Sequence, residues 1–600
     1  MKKSKVIFMF FYFLSTSFMA YGQSDSIFDW QEQILSRIDA EEFSEYSYAR
    51  LVEMLSDLEL SRNDTVFPSR IRQDIIIRGD MCLNIREGFH DVTTEKIATN
   101  KAYRGDPVNH SVRYKLHVGD RWAFGFVLGK DAGESFRHRF PMYDSYSCYL
   151  SYKPDDDNSV LRNITAGNYR LQLGSGLLVN QQFSLGKNIM SEAFMLSGTS
   201  FSAHSSTDDY NYMQGVIADI RLKDFRLIPF VSYKQIDAAI SNDTITSIPT
   251  DGLHRTINEV RKRHTAAVLN TGLHLSYSSD WYELGANLLY TGFSLPYFRT
   301  TRAYNIYYYR GKTLLQGSAE YHLRRYGFEL RGETAFDQDF NLASINQISH
   351  SIGEDWKAGL SYRYYSRKYQ SLYASSVSES SSMQGEQGAM FSLQGSPFPH
   401  WNASFSIDYF DLLNIPYGYK TPVRGFDLHS LLNYSHRFYD VKLSYRLKSK
   451  KAFRHNLDAV ITLSPVDGLK LKTQIRTRIY SPQDKGGYSV GYAVAQSLSW
   501  NKDGFPLNAE IQGAWFDASD YDTRIYLSEK NILYGFGLPM LYGKGMRGSM
   551  TCIYKIRPNF TLDLKYSLFH YLDRNHISNG LQQIWGADQY NLWLQLRLKL

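Results

Sequence analysis

The sequence predicts an all-β fold: a large transmembrane antiparallel β-barrel of about 22–26 strands, preceded by two short N-terminal helices. Three observations carry this expectation. Apolar and polar residues alternate with period two from about Ile75 to Leu600, very short turns alternate with long polar connections, and the chain opens with a secretory-type leader. The 600 residues are too many for one ordinary soluble domain. No stretch beyond the leader reaches the ~18 to 20 unbroken apolar residues that a membrane helix needs. Charged residues, 21% of the chain and interleaved with 15% aromatics, are too few for a disordered polymer.

Residues 1–22 read as a signal peptide. Lys2, Lys3 and Lys5 precede the apolar run Val6 to Leu14, and Ala20 and Gly22 stand at −3 and −1 of a cut before Gln23. Without those three lysines, 64 basic residues face 60 acidic ones, and the formal +7 falls to +4. On a chain of this size such a balance predicts no nucleic-acid partner. Cys82, Cys148 and Cys552 are odd in number and far apart, unlike a disulfide framework. No Cys or His pair has zinc-type spacing, so neither metal nor cofactor is expected.

Residues 23–74 read as a short helical periplasmic segment. Ile27, Trp30, Ile34 and Ile38 share one helical face, and Tyr48, Leu51, Met54, Leu55 and Leu58 form a second stripe. The polar stretch Ser61 to Ser69, with Asn63, Asp64 and Pro68, ends that pattern.

Residues 75–600 read as the barrel. Trp356, Ala358, Leu360, Tyr362 and Tyr364 alternate with Lys357, Gly359, Ser361 and Arg363; Trp401, Ala403, Phe405, Ile407 and Tyr409 alternate with Asn402, Ser404, Ser406 and Asp408. The clearest case sets Leu469, Leu471, Thr473, Ile475, Thr477 and Ile479 against Lys470, Lys472, Gln474, Arg476 and Arg478. Each such strand has one apolar face and one polar or small face. Lys223-Asp224, Ser278 to Asp280, Pro465 to Gly468 and Arg557 to Asn559 are hairpin turns, whereas Asp237 to Arg263 and Ser371 to Gly388 are long and polar. Tight turns at one end and long loops at the other are the asymmetry of an outer-membrane barrel. A soluble sandwich would have shorter strands, and no 20 to 50 residue unit recurs as a propeller or solenoid would require. A Lys-, Arg-, Asn- and Ser-bearing face suits a wet lumen with the opposite face turned to lipid. A ring of this size leaves a channel unless loops or a domain fill it.

Several blocks resemble a Bacteroidota-type family of exported proteins in which a helix-hairpin-helix module precedes an outer-membrane barrel. The blocks are Gly129 to Glu134, the glycine-rich Ala166 to Leu177 with Gly186-Lys187, Asp251 to Thr256 with Glu259, and Tyr362 to Tyr365 followed by Glu379 and Glu386 to Gly388. The resemblance implies the barrel and, for the module, DNA contact. Residues 24–78 contain no glycine, so the phosphate-approaching turn of that module is missing here.

No nucleophile elbow, phosphate loop or HExxH motif occurs, so no catalytic residue is assigned. Asp251, His254 and Arg255 read either as an acid/base or anion site in a long loop or as a polar network pinning that loop. Asp131 and Glu134 read as a cation-binding pair or as rim charges paired with Arg137 or Arg139. Lys470, Lys472, Arg476 and Arg478 are the candidate lumen-lining residues, the alternative being a ladder paired with carboxylates of the next strand. The expected function is a channel, transport or surface-translocation pore that is not an enzyme. It is expected as a monomer in Gram-negative outer-membrane lipid, with room for a periplasmic or surface protein partner. The alternatives are a surface-binding or DNA-uptake component implied by the resemblance, and an outer-membrane hydrolase.

Overall fold

In the computed structural model the alternating pattern becomes one closed wall of 24 antiparallel strands. The structure describes residues 53, 54 and 56 and, from 71 onward, all but 137–141, 157, 183–186, 188–197, 484–485 and 536–537. The leader and most of the 23–74 segment therefore lie outside the described residues, as do Arg137 and Arg139.

The first eight strands are β1 (Ile71–Cys82), β2 (Val108–Val118), β3 (Trp122–Lys130), β4 (Ser145–Tyr152), β5 (Leu161–Gln172), β6 (Met213–Leu222), β7 (Phe225–Ile236) and β8 (Ala266–Ser278). Next come β9 (Tyr282–Tyr297), β10 (Gly311–Arg325), β11 (Phe328–Asp337), β12 (Leu342–Ile352), β13 (Trp356–Tyr365), β14 (Glu386–Gly395), β15 (Trp401–Leu412) and β16 (Val423–Ser435). The last are β17 (Tyr439–Ser449), β18 (Ala452–Val466), β19 (Leu469–Pro482), β20 (Ser489–Asn501), β21 (Leu507–Ala518), β22 (Gly543–Arg557), β23 (Phe560–Tyr571) and β24 (Asp588–Lys599). Each pairs with its sequence neighbours, and β1 closes on β24 with Ile75 opposite Leu598 and Gly79 opposite Leu594. Closure leaves no strand edge, the condition for a sheet to cross lipid.

Two boundaries differ from the sequence expectation. The wall begins at Ile71 rather than Ile75, and Glu386 to Gly388, assigned to a long connection, opens β14. In both places the deciding interaction is the neighbouring strand: Ile71 pairs with Val118 and Glu386 with Tyr365.

Connections at the end holding both chain termini span at most eight residues, whereas the span 173–212 at the other end reaches 40. Turns such as Lys223-Asp224 and Tyr326-Gly327 place residues at positive φ (55° at Lys223, 53° at Tyr326), which matches the strand twist. Among the described residues the loop end carries two short α-helices, α1 (Thr94–Ala98) and α2 (Ile257–Val260).

Leu360, Ile475, Ile511 and Leu594 stand exposed on the outer face, while Arg363, Gln474, Gln512 and Gln595 on the inner face are buried. Trp122, Phe225, Trp281, Phe328 and Phe438 form an exposed aromatic set by the turns, as at a membrane interface. Apolar residues facing outward on a closed wall are stable only in lipid, and the protein is a transmembrane barrel of the outer-membrane type.

The lumen departs from the expected polar or small lining. Toward the loop end Tyr169, Leu171, Ile217, Phe230, Ile345 and Tyr365 also turn inward, and Leu177, Leu178 and Val179 from the 173–212 span cover them. A second apolar cluster joins Ile525, Leu527 and Leu541 to Phe516 and Phe569. Apolar residues on the inner face are stable only because loops fold in and exclude water from them.

Candidate functional site

At the loop end the 131–144 and 237–265 connections meet on His254. Its Nδ1 lies 2.5 Å from Asp144 and its Nε2 2.8 Å from Asp237. Arg263 donates to the other Asp144 oxygen at 2.6 Å, and the backbone N–H of His264 donates to Asp237 at 2.9 Å. Glu134 accepts from the backbone N–H groups of Asp131 (2.9 Å) and His254 (2.7 Å). Burial disfavours the imidazolium, but the hydrogen bonds to Asp144 and Asp237 outweigh it and raise the His254 pKa to about 10. Burial, reinforced by the charges of Asp144 and Asp131, raises Glu134 to about 8.

Of the residues singled out in the sequence, His254, Glu134 and Asp131 come together here. Asp251 does not: it is exposed and accepts only from Leu253 N–H, at 3.3 Å. Arg255 reaches Glu259 at 3.0 Å, and Glu259 caps α2 reciprocally with Thr256. Glu134, Asp144 and His254 bring one ligand atom each within 4.8 Å of one another. Both His254 nitrogens face carboxylates and Glu134 is taken by backbone donors, so the three act as a tie between loops. Asp144 and Asp237 were not legible as partners because 110 and 17 residues separate them from His254.

On β19, Arg476 and Arg478 both reach Asp458 of β18, at 3.6 and 2.7 Å. Lys470 and Lys472 are half-buried lower on the same strand, toward the turns, while Ile475 is exposed on the other face. Gln474, between the two pairs, donates to the carbonyl of Ser528 at 3.1 Å.

Inside the barrel lies a charge cluster that sequence reasoning did not assemble. Arg363 donates to Glu386 at 2.7 Å and to both oxygens of Asp408 at 2.7 and 3.0 Å. Lys187, from the 173–212 span, sits 3.1 Å from Asp408 and 3.6 Å from Asp427 and also pairs with Glu379 of the 366–385 loop. Glu379 in turn pairs with Lys448 (2.9 Å) and Lys450 (3.1 Å). Two loops are thus bound to the wall and to each other. Earlier in the same span Gly174, at φ +54°, sits against a second pair of carboxylates, where an added Cβ would lie 2.6 Å from Glu320 and Glu333. The signal available in the sequence was the charge at inward parity on neighbouring strands: Arg363, Glu386, Asp408, Asp427 and Arg446.

A third connection, 519–542, descends the inside of the wall. The Ser528 carbonyl accepts from Gln474 and Gln512, both at 3.1 Å. Glu529 pairs with Arg547 (2.8 Å) and Lys565 (2.6 Å), and the Lys530 carbonyl accepts from Thr551 at 3.0 Å. Lys530 also donates to Asn508, the second residue of β21 and hence next to the turns. This segment runs from the loop end almost through the barrel.

No family model matches the chain, and no curated protein matches it. Among solved structures it is similar to the ferric enterobactin receptor PfeA of Pseudomonas aeruginosa, with 9% identity and a TM-score of 0.43 over 88% of this chain and 80% of that one. The siderophore receptor PirA of Acinetobacter baumannii is 7% identical, with a TM-score of 0.44 over 88% and 80% of the two chains. The copper transporter OprC is 8% identical, with a TM-score of 0.42 over the same shares. Identities this low carry no information on ligand or partner.

Proposed function

We propose that the chain is an outer-membrane transport barrel held shut at rest by its own loops. The supporting observation is the 519–542 segment. Beyond the apolar packing of Ile525, Leu527 and Leu541 it is held across the lumen by charged and polar contacts from Ser528, Glu529 and Lys530 to Gln474, Asn508, Arg547 and Lys565, which water can replace more cheaply than it can replace an apolar core. A 24-strand ring encloses far more space than its own inward side chains fill, and a solute path is the use such a width serves. The resemblance to the helix-hairpin-helix barrel family belongs to this same proposal. Its quoted blocks fall on the inward-folded residues Gly174, Lys187, Arg363, Glu379 and Glu386 and on the His254 junction.

The hydrolase reading loses its candidate base, because both His254 nitrogens are bound to carboxylates and neither faces a hydroxyl. Surface binding keeps one argument, the rigid outer face that His254 makes of two connections.

The test is conductance in planar bilayers, with heat-modifiable migration as the check on folding. The full chain should be nearly silent, and a chain in which 524–538 is replaced by a short glycine-serine link should conduct. A folded deletion variant that stays silent would contradict the proposal.

A further inference from the structure

We infer that the acidic segment between Gln23 and Leu60 is housed inside the barrel, docked through Glu53 on Arg113 and Arg170, instead of extending below the membrane. The first observation is the position of Glu53. Its side chain is nine-tenths buried between two arginines, 2.8 Å from Arg170 on β5 and 3.7 Å from Arg113 on β2. Arg170 is two residues from the loop end of its strand, so Glu53 lies far above the turns where the chain enters the wall at Ile71.

The second observation is what it meets there. Ser56, 1% exposed, accepts from the backbone N–H of Tyr534 at 3.1 Å. Arg113 stacks 3.7 Å above the Tyr534 ring, and Arg78 donates to the Tyr534 carbonyl at 2.8 Å. The N-terminal segment therefore touches the wall and the lumen-crossing 519–542 connection at one point.

The third is charge. The near-neutral total conceals two opposite parts. Residues 23–60 hold ten acidic residues against Arg37 and Arg50, a formal −8, whereas residues 71–600 hold 60 basic against 49 acidic residues, a formal +11. Arg113 and Arg170, which flank Glu53, give the docking point the sign that attracts such a segment. The apolar stripes Ile27, Trp30, Ile34, Ile38 and Leu51, Met54, Leu55, Leu58 give it faces to bury. The 14 residues 57–70 reach up to ~45 Å when extended, ample to lead back from Glu53 to Ile71.

The test uses the full chain with Cys82, Cys148 and Cys552 replaced by serine and one cysteine introduced by Trp30→Cys or Ile38→Cys, with heat-modifiable migration confirming the barrel. A 5-kDa polyethylene-glycol maleimide should label either position at least ~tenfold more slowly than it labels the urea-unfolded chain. Glu53→Arg should remove that protection, and Glu53→Arg with Arg170→Glu should restore it. Labelling as fast as in the unfolded chain would overturn the inference. So would protection that Glu53→Arg leaves unchanged, since the shielding would then not come from this docking. Labelling reports where the segment is and is blind to conductance, so a folded 524–538 deletion variant that stays silent in bilayers would sink the transport proposal while leaving this inference standing.

Discussion

Arg363 inside the barrel and His254 at its loop end are built alike, each a cation held between two carboxylates. Arg363 lies between Glu386 and Asp408 and is 1% exposed; His254 lies between Asp144 and Asp237. The surroundings and the chemistry differ. A guanidinium keeps its charge at any pH the cell meets, so the inner cluster is a permanent lock on the in-folded loops. An imidazolium can lose its proton, so the outer junction is a tie that pH can loosen.

The comparison breaks most visibly at Arg363. Arg363→Met leaves Glu386 and Asp408 buried without their cation, an expected loss of about 3 to 5 kcal/mol. Urea unfolding in detergent, followed by the heat-modifiable band, should show it, and Arg363→Lys should recover part of the loss. A smaller effect is expected at Glu529, whose loss leaves Arg547 and Lys565 facing each other. Glu529→Gln should cost about 2 kcal/mol and, in bilayers, produce brief openings absent from the parent.

The outer junction should respond to pH instead. His254 gains stability from a pKa raised from 6.5 to about 10, a contribution complete below pH 6.5 and lost as pH climbs toward 10. Glu134, raised from 4.5 to about 8, adds a penalty that is absent below 4.5 and grows until pH passes 8. Both act in the same direction, so amides 131–134 and 252–260 should exchange with deuterium faster at pH 9 than at pH 6 once intrinsic rates are corrected. His254→Gln should flatten that dependence, and an unchanged pH response in this variant would contradict the assignment. The smallest effect is expected at Arg478→Gln, within about 1 kcal/mol, because Asp458 keeps Arg476 and the site is partly solvated.

The outer face of this wall was legible in the sequence and its contents were not. A period of two reports which side of a strand is apolar, and Trp356 to Tyr364, Trp401 to Tyr409 and Leu469 to Ile479 announce their outward sets directly. The strand count of 24 fell within the expected range because strand length is set by bilayer thickness. Nothing periodic links Lys187 to Glu379, or Glu529 to Lys565, since contacts between a loop and a distant strand depend on how the loop folds back. The 519–542 connection looked like any other long loop. Its inward course is visible only through Gln474, Asn508 and Thr551, residues that in sequence were ordinary inward-facing polar positions. Asp251 failed as a partner of His254 for the same reason: proximity in sequence is weak evidence when strands bring Asp144 and Asp237 nearer.

The central claim, that the lumen is occupied by this chain's own loop, is tested most directly by cross-linking. In a cysteine-free background, Lys530→Cys and Thr551→Cys place thiols on the descending segment and on β22, where the Lys530 carbonyl accepts from Thr551. A short bis-maleimide applied to outer-membrane vesicles should join them in most molecules, giving a looped chain of altered mobility after boiling. Absence of the cross-link, with both single cysteines readily labelled by a bulky polyethylene-glycol maleimide in a folded barrel, would show the segment to be outside the lumen and contradict the account.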